Sequence, residues 1–293
     1  MSAPGDPEWI PKNASNEVED TVTLRAALLE SNNAAAADLQ QRITSGAVLQ
    51  LASDAGLQGL PDVPSLALGT GLVTPLDLTA AFAIFPSGGQ LYSPRSVQGV
   101  TDADGSEAFS QTINSKAVVS EQVAFQMVSM LRDVVDRGTG NPARALGLRG
   151  PVGGKTGTTD DYRDAWFVGF SSSVVAGVWV GFDQPATIGR DAYAARIALP
   201  IWADFMKRAA TTLPASEFVV PAGLETTALC SVSYLRPVAT CPTYVEYFKQ
   251  GDAIPTARCP IHQGSLAERT QKAVGGFLKS LGGKLAGIFG RKR

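Results

Sequence analysis

The chain has 293 residues, 44% hydrophobic and 18% charged, which allows a substantial core in one large domain or a domain plus extensions. Its 30 glycines and 18 prolines are near average usage and fit neither a collagen-like nor a wholly disordered chain. The net charge of -2 is uneven: residues 264–293 hold seven Lys/Arg against the single acid Glu268, a balance of +6 that leaves -8 on the remainder, and an acidic body argues against a nucleic-acid-binding main domain.

Residues 1–20 are polar and rich in Pro and Asn, an extended lead-in without the basic start and apolar stretch of a secretory signal. No apolar run reaches the roughly 18 residues needed to span a bilayer. Thr23 caps TLRAALLESNNAAAADLQQRI, where Leu24, Ala27 and Leu28, then Ala35 and Leu39, recur at helical spacing. Ser31-Asn32-Asn33 marks a break between two helices, because small polar side chains compete for backbone hydrogen bonds. Thr74-Pro75-Leu76-Asp77 starts another helix, running to about Phe85 and stopped by Pro86-Ser87-Gly88-Gly89. A third helical stretch, from Ser120 to Asp136, places Val123, Met127, Met130, Leu131 and Val134 on one face and closes at Gly138-Thr139-Gly140.

After Pro151 the pattern shortens to the strand-like runs VGGKTGT, DAWFVGFS and VVAGVWVGFD. In the second run Trp166, Val168 and Phe170 share one face and Ala165, Phe167 and Gly169 the other, as in a strand covered on both sides. Ser171-Ser172-Ser173 suits a hairpin. A helix over residues 195–210 is expected to cover the sheet with Ile197, Ile201, Trp202 and Phe205. The fold class is mixed α/β of the α+β kind, an antiparallel sheet flanked by helices. No internal repeat is visible. The expected division is 1–213 as the main domain, 214–263 as a Cys-containing extension and 264–293 as a basic amphipathic tail.

The single histidine, His262, lies in the extension, so acid–base chemistry in the main domain must fall to a lysine or a carboxylate. The best candidate is Gly153-Gly154-Lys155-Thr156-Gly157-Thr158-Thr159. A substrate backbone could lie along the glycines, the hydroxyls of Thr156 and Thr158 could receive a carboxylate, and Lys155 adds positive charge. The plain alternative is a glycine-rich strand that needs close packing. A phosphate-binding loop of the form GxxxxGK[ST] fails by one position, since Arg149 stands where glycine is required. Ser31 and Asn33 would suit proton relay and amide recognition beside a lysine, although SNN alone is usually a helix break or polar surface.

In this order and separation the pieces resemble the penicilloyl-serine transferases, whose motifs are Ser-x-x-Lys, Ser-x-Asn and Lys-Thr-Gly. TLRAALLESNN, PSLALGTGLVTPLDLTAAFAIFPSGG, GGKTGTTDDYRDAWFVGF and VVAGVWVGFD are similar to the transpeptidase domain of class A penicillin-binding proteins over roughly residues 7–210. The resemblance implies a β-lactamase/transpeptidase-like fold and peptidoglycan crosslinking by D-Ala-D-Ala transpeptidation, with stem peptides and β-lactams as partners and no cofactor. It casts Ser31, Asn33 and Lys155 as catalytic, with Ser31 in the proton-transfer network and Asn33 on the substrate amide. Thr156, Gly157 and Thr158 would form the carboxylate site, the Thr158 N–H acting as an oxyanion donor. Ser-x-x-Lys occurs nowhere in the chain, so the resemblance also implies a domain truncated at its N-terminus, inactive alone, from a protein whose membrane anchor and glycosyltransferase domain precede it.

That family works on the extracytoplasmic, periplasmic face of the inner membrane, and this location favours a Cys230–Cys241 disulfide with Cys259 free and no metal. The alternative is a zinc site of Cys230, Cys241, Cys259 and His262, but C-x10-C-x17-C-x2-H lacks the usual short C-x-x-C pair. In the tail, Val274, Phe277, Leu278, Leu281, Leu285 and Ile288 share a helical face flanked by Lys272, Lys279, Lys284 and Arg291-Lys292-Arg293. Such a helix can lie on an anionic membrane, or the tail can be a flexible solubilising segment.

Overall fold

Thr23 opens the first helix by accepting the Ala26 N–H on its side-chain oxygen at 3.2 Å, and α1 (Leu24–Glu30) follows. The computed structural model describes residues 11–13 and 21–262, so the predicted tail and most of the lead-in lie outside the described residues. Helix α1 ends on Ser31, which takes the left-handed conformation (φ 58°, ψ 48°). Asn32 then caps α2 (Asn33–Ile43) by accepting the Ala35 N–H at 2.9 Å. The predicted break is therefore a two-residue reversal in which one polar residue ends a helix and the next starts another. Helix α3 (Ser45–Asp54) follows directly, without having been expected from the sequence.

Thr74 caps α4 (Pro75–Phe82), with proline in the first turn. Four short strands come next: β1 (Gln90–Tyr92) pairs with β4 (Ser115–Ala117), and between them β2 (Gly99–Thr101) pairs with β3 (Glu107–Ser110). The long helix α5 (Glu121–Arg137), capped by Ser120, and the single-turn α6 (Pro142–Ala145) lead into the main sheet. That sheet is β5 (Gly153–Thr158), β6 (Asp164–Phe170) and β7 (Val175–Gly181), antiparallel in the order β5-β6-β7. Helix α7 (Ala198–Ala209) closes the first of two compact units, Met1–Pro221.

Period-two alternation in β6 divides the core as its sequence predicts. Phe170 packs with Val128 and Leu131 of α5, while Ala165 and Phe167 pack with Ala198, Leu199, Trp202 and Ala203 of α7. The Phe167 and Trp202 rings lie 4.5 Å apart between centroids. A Cβ at Gly153 would stand 2.8 Å from Phe170 Cζ and 3.1 Å from the Arg132 backbone nitrogen, so this glycine serves the close approach of α5 to the sheet. The packing reading of the glycine-rich strand thus holds for its first part.

The face of α7 differs from expectation. Trp202 is fully buried and Ile197 packs against the core, but Ile201 is 53% and Phe205 50% exposed; Leu199, Ala203 and Met206 take the inner positions. The bulk of the indole fixes the helix rotation, and residues one step before and three after it turn outward.

The second unit, Ala222–Arg293, is built on a hairpin of β8 (Leu224–Cys230) and β9 (Thr243–Lys249), with the return chain held by an Arg236–Arg258 bridge. Among the described residues no helix is long and apolar enough to cross a membrane.

The two α7 readings separate by mutation. Trp202→Ala is expected to cost about 3–5 kcal/mol of stability, and Ile201→Ala to stay within about 0.5 kcal/mol, measured by denaturant unfolding; equal losses would contradict this packing.

Candidate active site

Two distant segments meet at one hydrogen bond. Lys155 Nζ on β5 donates to Ser31 Oγ at 2.8 Å, across 124 residues of sequence, and also to the Thr156 carbonyl at 3.1 Å and Thr156 Oγ1 at 3.4 Å. The left-handed turn at Ser31 puts a residue other than glycine in a costly backbone region, and such strain persists only where surrounding contacts fix it.

Those contacts are visible. Arg25, 3% exposed, anchors α1 to α5 by donating to Asp133 Oδ2 at 2.8 Å and Ser129 Oγ at 3.0 Å. A buried guanidinium with hydrogen-bonded partners fixes orientation more than it adds stability. At the other end of α1, the Thr139 N–H donates to the Leu29 carbonyl at 3.3 Å. A Cβ on Gly138 would stand 2.6 Å from that carbonyl oxygen, so only glycine permits the approach.

Thr139 is the site residue that the sequence reading missed. Its hydroxyl shares a 3.0 Å hydrogen bond with Thr156 Oγ1, so one residue braces both the serine-bearing turn and the lysine-bearing strand. The available signal was Gly138-Thr139-Gly140, a threonine between two glycines where a helix stop needs only one.

The other expected residues are placed as follows. Thr158 is exposed at the open end of β5, where Oγ1 accepts the Ala194 N–H at 3.0 Å and leaves the hydroxyl proton available to an anion. Gly157 lies between the two threonines, paired with Trp166 in the ladder. Asn33 is turned another way: its amide donates to the Lys12 carbonyl at 2.7 Å, while Asn13 Oδ1 accepts the Ala34 N–H at 3.1 Å. Cys230 and Cys241, expected as a disulfide, are unbonded in this structure, as is Cys259; with His262 the three form a separate cluster in the second unit.

Desolvation governs the electrostatics around Lys155. Burial pulls the Lys155 ammonium from its ordinary 10.5 down to about 8. At neutral pH it remains mostly protonated and donates to Ser31, yet it lies near enough to release a proton to be useful in acid–base exchange.

The model of the penicillin-binding protein transpeptidase domain matches residues 3–207. This chain belongs to that family. Penicillin-binding protein 1A of Aquifex aeolicus is 42% identical over 214 residues, covering 73% of this chain and 29% of the relative. The 2.6 Å crystal structure of penicillin-binding protein 1A from Haemophilus influenzae superposes with a TM-score of 0.78 at 25% identity, over 88% of this chain and 44% of that one. The PonA1 protein of Mycobacterium tuberculosis, solved with penicillin V, shares the fold at a TM-score of 0.60 and 24% identity, over 70% and 60% of the two chains. The mixed helical and antiparallel architecture is thus that of penicillin-binding transpeptidase domains. The chain spans less than a third of the length of the first curated relatives it matches.

The depressed lysine has a measurable consequence. Between about pH 8 and 10.5 the unfolded chain holds a proton that folded Lys155 has released, so this residue's contribution to stability rises with pH across that window and its burial penalty is greatest below pH 8. Unfolding midpoints of the natural chain should therefore gain on those of Lys155→Met between pH 7.5 and 10; an unchanged difference would show an ordinary, solvated lysine.

Proposed function

We propose that this chain contributes the stem-peptide groove for peptidoglycan crosslinking by serine-type D-alanyl-D-alanine transpeptidation, and that β-lactams occupy the same groove. The single observation that carries the reading is the Lys155–Ser31 hydrogen bond at 2.8 Å, which joins the Lys-Thr-Gly strand to the Ser-x-Asn turn. In this reading Thr156 and Thr158 donate their hydroxyls to the terminal carboxylate beside Lys155, and Gly157 keeps that stretch free of side chains. The Thr158 N–H serves as an oxyanion donor, Ser31 relays a proton to or from Lys155, and Asn33 leaves the Lys12 carbonyl to meet the substrate amide.

In the overall reaction, a serine oxygen attacks the carbonyl of the penultimate D-alanine. The terminal D-alanine leaves as its amine takes a proton, and an acceptor amine then takes the acyl group and regenerates the serine. The attacking serine belongs to Ser-x-x-Lys, which is absent from these 293 residues. That absence favours a second reading, a peptide-binding module that holds the carboxylate without turnover.

The proposed domain organisation places the transpeptidase part at 1–213, the extension at 214–263 and the tail at 264–293, with work on the extracytoplasmic face of the membrane. A division of the chain at Pro221 and a family match ending at 207 support boundaries in this region.

Binding of a D-Ala-D-Ala peptide, followed by NMR shifts, should exceed that of its C-terminal amide by about tenfold or more, since an anion's hydrogen bonds to these donors are worth ~1.5–3 kcal/mol each. Lys155→Ala and Thr156→Val should abolish the preference, and equal binding of acid and amide would remove the groove from consideration. Fluorescent penicillin is expected to leave no covalent label on the 293-residue chain under denaturing electrophoresis. A labelled residue would expose a nucleophile that the motif reading lacks.

A further inference from the structure

The second unit contains chemistry that transpeptidation does not use. Cys230 ends β8, Cys241 lies in the connection just before β9, and Cys259 and His262 come on the return strand beside the Arg236–Arg258 bridge. Although 32 positions separate the first from the last, the sulfur and imidazole ligand atoms of all four lie within 4.8 Å of one another.

The spacings discriminate between chemistries. A disulfide needs sulfurs about 2.05 Å apart, whereas a zinc ion with Zn–S of about 2.3 Å and Zn–N of about 2.0–2.1 Å sets tetrahedral edges of about 3.8 Å (S···S) and 3.6 Å (S···N). Cys230 and Cys259 Sγ are 3.7 Å apart, and His262 Nδ1 is 3.4 Å and 3.3 Å from those two sulfurs. These three distances match one face of a metal tetrahedron, Cys230 and Cys259 are too far apart for a covalent bridge, and Cys241 Sγ lies within 4.8 Å of all three ligand atoms. Backbone donors also point at the sulfurs: the Val238 N–H reaches Cys241 Sγ at 3.2 Å and the His262 N–H reaches Cys259 Sγ at 3.4 Å. Such donors favour thiolate and orient it for a cation.

The unit needs a fastening of this kind. Its buried apolar residues among those described are Leu229, Cys230 and Cys259. An isolated two-stranded hairpin is marginal in water, and segments of about 40 residues ordinarily require a metal, a disulfide or a partner.

We propose that Cys230, Cys241, Cys259 and His262 bind one zinc ion, with His262 coordinating through Nδ1. Three thiolates and one imidazole suit zinc rather than a hard cation. Four protein ligands leave no position for water, so the site is structural rather than hydrolytic. Binding releases the thiol protons, and the ion ties the loop end of the β8–β9 hairpin to the returning segment around Cys259 and His262.

The test uses the whole chain, purified under reducing conditions. Elemental analysis should find one zinc per chain, with a dissociation constant on the order of nanomolar or tighter. Cobalt(II) in its place should give the intense visible bands of a tetrahedral thiolate site. Cys259→Ser and His262→Ala should each weaken zinc binding by about 100-fold or more, and Cys241→His, which keeps four ligands, should retain it. Chelation should open residues 222–262 to protease and leave the transpeptidase unit intact. No retained metal, a Cys230–Cys241 disulfide in the unreduced mass, or zinc with no effect on the alkylation rate of the thiols would each overturn the proposal.

Discussion

The transpeptidase unit depends on holding a partly desolvated ammonium against a serine hydroxyl. Lys155 gives up water on burial, and hydrogen bonds from Nζ to Ser31 Oγ and the Thr156 carbonyl replace it. Neither segment could hold that geometry alone. The serine needs the left-handed end of α1, α1 needs the Arg25–Asp133 anchor on α5, and β5 needs α5 close against its glycines. Helix α5 is therefore the common support: it touches the serine's helix through a buried charge and the lysine's strand through Gly153.

What could be read from the sequence follows from the range of the forces involved. The α1–α2 break, the caps at Thr23 and Thr74 and the alternation in β6 are local effects, set by side chains bonding to nearby backbone or by period-two burial, and they stand in the structure as expected. The face of α7 was not legible, because a stripe containing Ile201, Trp202 and Phe205 is broad enough to rotate and only contact with Phe167 selects the orientation. Thr139 was hidden for a different reason. Its partners, the Leu29 carbonyl and Thr156, lie far away in sequence, and nothing in a Gly-Thr-Gly helix stop announces a tertiary role. The strands β1 to β4 are short and mostly exposed, and so carry little of the alternation that marks a strand.

The two units illustrate opposite solutions to the same thermodynamic problem. Residues up to Pro221 can exclude water by stacking helices on both faces of a sheet, with Trp202, Phe167 and Phe170 fully enclosed. Among the described residues, the hairpin of β8 and β9 has few buried side chains to cover it. Its sulfur and imidazole groups are buried or half-buried where a larger protein would place leucine. Spacing in sequence concealed this arrangement, since the hairpin, rather than a short C-x-x-C turn, brings Cys230 and Cys241 together.

Strand β5 stands at the margin of its sheet, and among the described residues no strand pairs with its outer side. Backbone amides there can zip to a visitor's main chain with little regard for its side chains. Such a ladder has no natural stopping point and would tolerate a slip of two residues. On the reading proposed above, the threonines near its open end would act as an end-stop, receiving a terminal carboxylate and refusing an internal peptide bond. Selection would then rest on where the visiting chain finishes rather than on which residues it contains.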